Sequence, residues 1–174
     1  MKTLRTPSLI IIDGPMGSGK TTVAKLLHQK LKRTAHLGLD RVKWFISDFK
    51  RIPEDNEIVR NVIMQMAKEY LRQGISVIIE QGMRKDAIVR MTRMAKRYDA
   101  RCFVYQLEAP KPLLLARIHG RPRLPGKPRI SNARIERNYR SHAEHKYMDA
   151  IVLDAEKFTA QRIANRIVKD VARP

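Results

Sequence analysis

Residues Gly14 to Thr22 read GPMGSGKTT, and residue types at this spacing can hold a chain of phosphates. Gly14, Gly19, Lys20 and Thr21 complete the pattern G-x-x-x-x-G-K-[ST]. Glycines reach backbone angles closed to other residues, so successive N–H groups can turn inward toward anionic oxygens. A helix opening near Lys20 adds the partial positive charge of its N-terminus. The Lys20 ammonium is placed to reach the β- and γ-phosphates of a nucleotide, and the Thr21 hydroxyl to ligate Mg²⁺. The run Gly14, Pro15, Met16, Gly17, Ser18, Gly19, Lys20, Thr21 and Thr22 is therefore the candidate nucleotide cradle.

The elements around the loop must position it. SLIIIDG before it reads as a buried strand, and KTTVAKLLHQKLKR after it as a helix with Val23, Leu26, Leu27 and Leu31 at helical spacing. TAHLGLD predicts a second strand ending at Asp40, and RVKWFISDFKR a short helix carrying Trp44, Phe45 and Phe49. Pro53 and Glu54 open a long helix whose Ile58, Val62, Met66 and Tyr70 form one apolar stripe, expected in the core, with Gly74 as its C-terminal stop. ISVIIEQG, ending at Glu80, and RCFVYQLEA are the third and fourth strands, and DAIVLDA is the fifth. Helices are expected at RKDAIVRMTRMAKRYDA, PKPLLLARIHG, SNARIERNYRSHAEHKY and TAQRIANRIVKDV, the last with Ile163, Ile167 and Val171 aligned. RPRLPGKPRI, with three prolines and a glycine, should be an exposed loop. Strand alternating with helix predicts an α/β three-layer sandwich around a five-stranded parallel sheet. Ligands of such folds bind at the strand C-termini, and Gly14, Asp40, Glu80 and Asp154 each fall at or near one.

With 174 residues and 43% hydrophobic content, one domain spanning 1–174 is expected. No apolar run approaches the ~20 residues a membrane helix needs, and the short Leu9–Ile12 run ends at Asp13, so a soluble, cytoplasmic protein is expected. The single cysteine, Cys102, excludes an internal disulfide and reads as a buried structural thiol. The five histidines show no metal spacing and read as solvated.

Exclusions narrow the class of nucleotide protein. A guanine-reading N-K-x-D and a transporter-type L-S-G-G-Q are both absent, and helicases need far more chain. What remains is a small phosphotransferase. With its loop, an acid after strand two, an acid after strand three and an arginine-bearing segment in that order, the chain resembles the small P-loop kinases. Within them it is most similar to the group holding polynucleotide 5′-kinases, chloramphenicol phosphotransferase and zeta toxins.

The resemblance implies a nucleoside-monophosphate-kinase-like P-loop NTPase fold, ATP and Mg²⁺ as cofactors, and a hydroxyl acceptor. It makes Asp40, in LGLDR, the base that takes the acceptor's proton; the other reading of Asp40 is a helix N-cap, and Asp48 is a weaker substitute. It makes Glu80, with Thr21, a holder of magnesium or its water shell, or a contact to the acceptor; a strand-end surface acid is the other reading, and Gln81 and Arg84 stand nearby. It makes residues 117–131 an arginine-rich lid, with Arg117 and Arg121 stabilising the transferring phosphoryl group and Arg123 joining Arg117 on the nucleotide; a solvated basic loop is the alternative.

The acceptor is less legible. The net charge of +19 favours a polyanionic partner such as an RNA or DNA end, or serves solubility alone. Between Lys111 and Lys146 only Glu136 and Glu144 oppose ten cations. Trp44 and Phe45, beside Asp40, can stack a base, cover an apolar acceptor or pack in the core. A nucleoside, nucleotide or polynucleotide hydroxyl is the leading acceptor. An antibiotic-type small molecule, or a nucleic-acid-binding ATPase with no acceptor, are the alternatives.

Overall fold

Strand β1 (Ser8–Asp13) is SLIIID, and all six residues are buried. A strand buried on both faces must be covered on both faces, and the computed structural model shows how. It describes residues 1–80, 85–122, 130–144, 147 and 149–173. The elements run β1, α1 (Lys20–Lys30), β2 (Thr34–Gly38), α2 (Leu39–Lys43), α3 (Pro53–Arg72), β3 (Ser76–Glu80), α4 (Lys85–Lys96), β4 (Arg101–Glu108), α5 (Lys111–His119), α6 (Asn132–Glu144), β5 (Ile151–Asp154) and α7 (Ala160–Val171). The five strands form one sheet in the order β2-β3-β1-β4-β5, and every pairing is parallel.

Alternation along β1 divides the core in two. Leu9 and Ile11, with Val77 and Ile79 of β3, pack against Val59, Ile63 and Leu71 of α3 and Met91 of α4. Ile10 and Ile12, with Ile78, Tyr105 and Leu107, pack against Val23 and Leu27 of α1 and Ile163 and Ile167 of α7. This is the expected three-layer sandwich. Each such aliphatic side chain, once buried, contributes about 1.5–3 kcal/mol.

Two expectations need correction, and one open reading falls. The buried stripe of α3 is Val59, Ile63, Ala67 and Leu71, not Ile58, Val62, Met66 and Tyr70. Ile58 and Val62 are exposed, while Met66 and Tyr70 lie only at the margin of the core. Both series are apolar and sit one residue apart, so the helix has a wide apolar arc; packing against the sheet selects its centre. The second strand stops at Gly38, two residues short of Asp40, and α2 begins at Leu39 and ends at Lys43. Trp44 and Phe45 are not core residues: they are 56% and 76% exposed, on the turns that follow α2.

Gly74 ends α3 as expected. Its φ is 70°, its N–H donates to Leu71 O, and Ile75 N–H donates to Tyr70 O, the paired bonds that satisfy the last carbonyls of a helix. Cys102 contacts the Thr92 hydroxyl at 3.4 Å, and burial pushes its thiol up, consistent with an inert structural role. No helix among the described residues is long and apolar enough to cross a membrane.

Candidate functional site

The phosphate loop joins the central strand β1 to α1 and is pressed against its neighbours. A Cβ at Gly14, where φ is 144°, would lie 2.5 Å from Leu107 O and 2.9 Å from Ser18 Oγ. One at Gly17, where φ is 85°, would lie 2.9 Å from Leu114 O. Glycine is therefore required at both positions by angle and by space, and Gly17 seats the loop on α5. α1 starts without a side-chain cap, its N-cap residue being Gly19. Its first N–H groups are thus left for a ligand.

Lys20 closes the loop over itself. Its Nζ donates to Gly14 O at 2.7 Å and to Pro15 O at 2.9 Å. Lys20 is half-buried, and burial lowers its pKa to about 8. The carboxylates of Asp13, Glu80 and Asp40 act against that shift and Arg121 acts with it. Four charged groups from four separate stretches of chain are thus felt at one ammonium.

Glu80 is 5% exposed at the end of β3. Burial pushes its carboxyl up, but contacts with His36, the Thr21 hydroxyl and the Lys20 ammonium outweigh this and hold it below its ordinary value. The His36 Nε2–Glu80 Oε1 separation is 3.5 Å, and the imidazole is nearly inaccessible. His36 is therefore not solvated, contrary to expectation. Among the described residues, Glu80 Oε2 and Asp13 Oδ1 are buried without a hydrogen-bond partner. Hard oxygens left over beside a threonine hydroxyl at a phosphate cradle suit Mg²⁺, which takes few protein ligands and fills its shell with phosphate oxygens and water. No group of three His, Cys, Asp or Glu side chains among the described residues forms a protein cage, as such a site requires none. When bound, the ion would neutralise charge on the phosphates.

The two sides of the loop differ. On one side a cavity of about 270 Å³ is lined by Gly19, Thr22, Arg117, Arg121, Ala155 and Phe158. The Arg117 guanidinium donates to Ala155 O at 2.8 Å, tying α5 to the turn after β5. Arg162 lies 5.5 Å over the Phe158 ring. On the other side α6 docks. Asn138 Oδ1 accepts the Met16 N–H at 2.7 Å, across 122 residues of sequence. His142 Nδ1 stands 3.7 Å from Asp13 Oδ2, so His142 too is placed against the site rather than in solvent. Tyr147 hydrogen-bonds Asp13; burial and that carboxylate raise its pKa.

Asp13, Asn138, His142, Tyr147 and Phe158 escaped sequence reasoning. Only Asp13 carried a signal, an acid closing a wholly apolar strand just before Gly14. Asp40 lies in the first turn of α2, where Lys43 pairs with it at 3.1 Å. It is not an N-cap: that position is Gly38, with no side-chain cap bond. Asp48 is exposed beyond α2. Asp154 lies on the far edge strand, accepting the N–H groups of Glu156 and Lys157 in a turn of its own. Arg123, Gln81 and Arg84 lie outside the described residues, as does most of the expected lid loop.

Residues 9–145, most of the chain, match the AAA_33 family, described as an AAA domain. The chain belongs to that family. Its fold also matches solved structures, a sugar kinase among them. An unliganded sugar kinase from Janibacter sp. HTCC2649 superposes with a TM-score of 0.69 at 16% identity, covering 97% of this chain and 99% of that one. Chaetomium thermophilum Kti12 in complex with ADP-AlF3 gives 0.66 at 17% identity, covering 95% and 100%. A component of the Pnkp1/Rnl/Hen1 RNA repair complex gives 0.67 at 21% identity, covering 84% of this chain and 48% of that one. The AAA_33 chain therefore has the α/β P-loop NTPase-like fold of these structures.

Proposed function

We propose that this chain is an ATP-dependent, Mg²⁺-requiring kinase that moves the γ-phosphoryl group of ATP to a hydroxyl of a nucleoside, nucleotide or polynucleotide. The observation that carries this reading is the charge ring around Lys20, with three carboxylates and Arg121 acting on one ammonium at the mouth of the phosphate loop. A family member with a kinase-like fold supports it. Residues 1–174 act as one domain with a lid at 117–131.

In this reading the phosphates lie along Gly14, Pro15, Met16, Gly17, Ser18, Gly19, Thr21 and Thr22. The Lys20 ammonium leaves the carbonyls of Gly14 and Pro15 for the β- and γ-phosphates, whose negative charge favours the ammonium that burial disfavours. The nucleoside occupies the cavity between Arg117 and Phe158. Thr21 and Glu80 hold the ion and its waters. Arg117, Arg121 and Arg123 meet the negative charge of the transferring group. Asp40 orients the acceptor hydroxyl and takes its proton as the oxygen–phosphorus bond forms and the bond to ADP breaks.

Terminally labelled ATP tests this. Label should appear on a hydroxyl-bearing acceptor within a panel of nucleosides, oligonucleotides, sugars and antibiotics. Label released only as free phosphate across that panel would leave an ATPase and end the kinase reading.

A further inference from the structure

The turns after α2 carry the exposed aromatics Trp44 and Phe45, and a line of contacts leads from Asp40 to Trp44. Lys43 Nζ is 3.1 Å from Asp40 Oδ1 and 5.8 Å from the centre of the Phe49 ring. Phe49 meets Trp44 edge-on at 6.4 Å, and the Arg51 guanidinium lies 5.6 Å over the Trp44 ring. We propose that this surface, Lys43, Trp44, Phe45, Lys50 and Arg51, receives the single-stranded end of a polynucleotide acceptor. Its bases stack on Trp44 and Phe45 and its phosphates meet Lys50 and Arg51. The proposal rests on the kinase reading and narrows its acceptor.

Three observations favour this occupant over a small molecule. First, small-molecule sites enclose most of their ligand, whereas rings that are 56% and 76% exposed lie open and suit a chain laid along them. Second, aromatics are only 6% of the chain, yet Trp44, Phe45 and Phe49 fall together, interleaved with Lys43, Lys50 and Arg51. Base-on-aromatic stacking beside cations is how single strands are held without regard to sequence. The net charge of +19 supplies the long-range attraction. Third, Arg51 has a φ of 62°, a left-handed angle that glycine adopts freely and arginine at a cost. The chain keeps an arginine where local geometry prefers glycine, and that arginine covers the tryptophan.

Trp44 is the only tryptophan, so its fluorescence reads this surface alone. Single-stranded oligonucleotides of about ten residues should quench it to saturation, less so as salt rises, while thymidine and inorganic phosphate at equal concentration should not. Arg51→Gly relieves the strained angle, so its melting midpoint should not fall, while the salt dependence of oligonucleotide binding should weaken by about 0.7 in log–log slope. Trp44→Ala should weaken binding of a labelled oligonucleotide about tenfold or more. No quenching by single strands, equal quenching by duplex, or full affinity in both variants would overturn the proposal. Quenching with no phosphate transfer to any acceptor would end the kinase reading and keep the surface. Transfer to small alcohols with no quenching would do the reverse.

Discussion

Lys20→Met separates what the loop does for folding from what it does for a ligand. In the ligand-free protein the pKa of the ammonium falls from 10.5 to about 8. That fall corresponds to about 3 kcal/mol of strain on the charged form. A lysine held below its unfolded value binds fewer protons folded than unfolded between pH 8 and 10.5. The penalty is therefore complete below pH 8 and fades as pH rises to 10.5. Methionine has similar length and no charge, so the penalty vanishes, but the bonds to Gly14 O and Pro15 O vanish too. Those two bonds offset about 1–2 kcal/mol of the gain. The net expectation is a ligand-free protein more stable by about 1–2 kcal/mol, or roughly 2–8 °C in melting midpoint for a chain of this size. Melting followed by circular dichroism from pH 7 to 10, with and without ATP and Mg²⁺, measures this. The stability difference between variant and wild type should shrink with rising pH, and ATP should no longer raise the variant's midpoint. A variant less stable at pH 7, or a difference independent of pH, would refute the lowered pKa; a retained ATP response would refute the loop's role.

Other substitutions probe the rest of the site. Asp40→Asn removes an exposed i,i+3 ion pair with Lys43, worth under about 0.5 kcal/mol, and one of the carboxylates felt at Lys20, so the fold should hold while turnover falls about 10²–10⁴-fold in a transfer assay. A stable variant with a full rate would remove Asp40 from the chemistry. Asn138→Ala leaves the Met16 N–H without its acceptor and should cost about 1–3 kcal/mol in denaturant unfolding of the ligand-free protein. If phosphate takes over that N–H, the cost should shrink with ATP present; a cost unchanged by ATP would show that Asn138 serves the fold alone. On α3, Ile63→Ala should cost about 2–5 kcal/mol and Ile58→Ala under about 0.5, a contrast that equal losses would contradict.

The phosphate loop was legible because its chemistry is local. Glycine angles, the lysine and the threonine hydroxyl act within nine consecutive residues, and the flanking strand and helix announce themselves by pattern. The sheet was legible for a related reason: strands buried on both faces must be continuous apolar runs, as Leu9–Ile12 of β1 and Val77–Ile79 of β3 are. Position along an arc was not legible. Ile58 and Val59 begin two equally apolar series on α3, and only the sheet's placement shows which one faces inward.

The sequence by itself determined that this chain would be a parallel α/β sandwich with a phosphate cradle after its first strand, since periodicity and glycine placement are properties of short segments. The tertiary structure alone decided which distant groups meet at that cradle. It set Glu80 beside Thr21 and His36, brought Asn138 to the Met16 N–H and His142 to Asp13, and left Trp44 and Phe45 outside the core. Those meetings join residues up to 129 positions apart, Asp13 with His142. They depend on strand order and helix docking, which the pattern of a single segment does not encode.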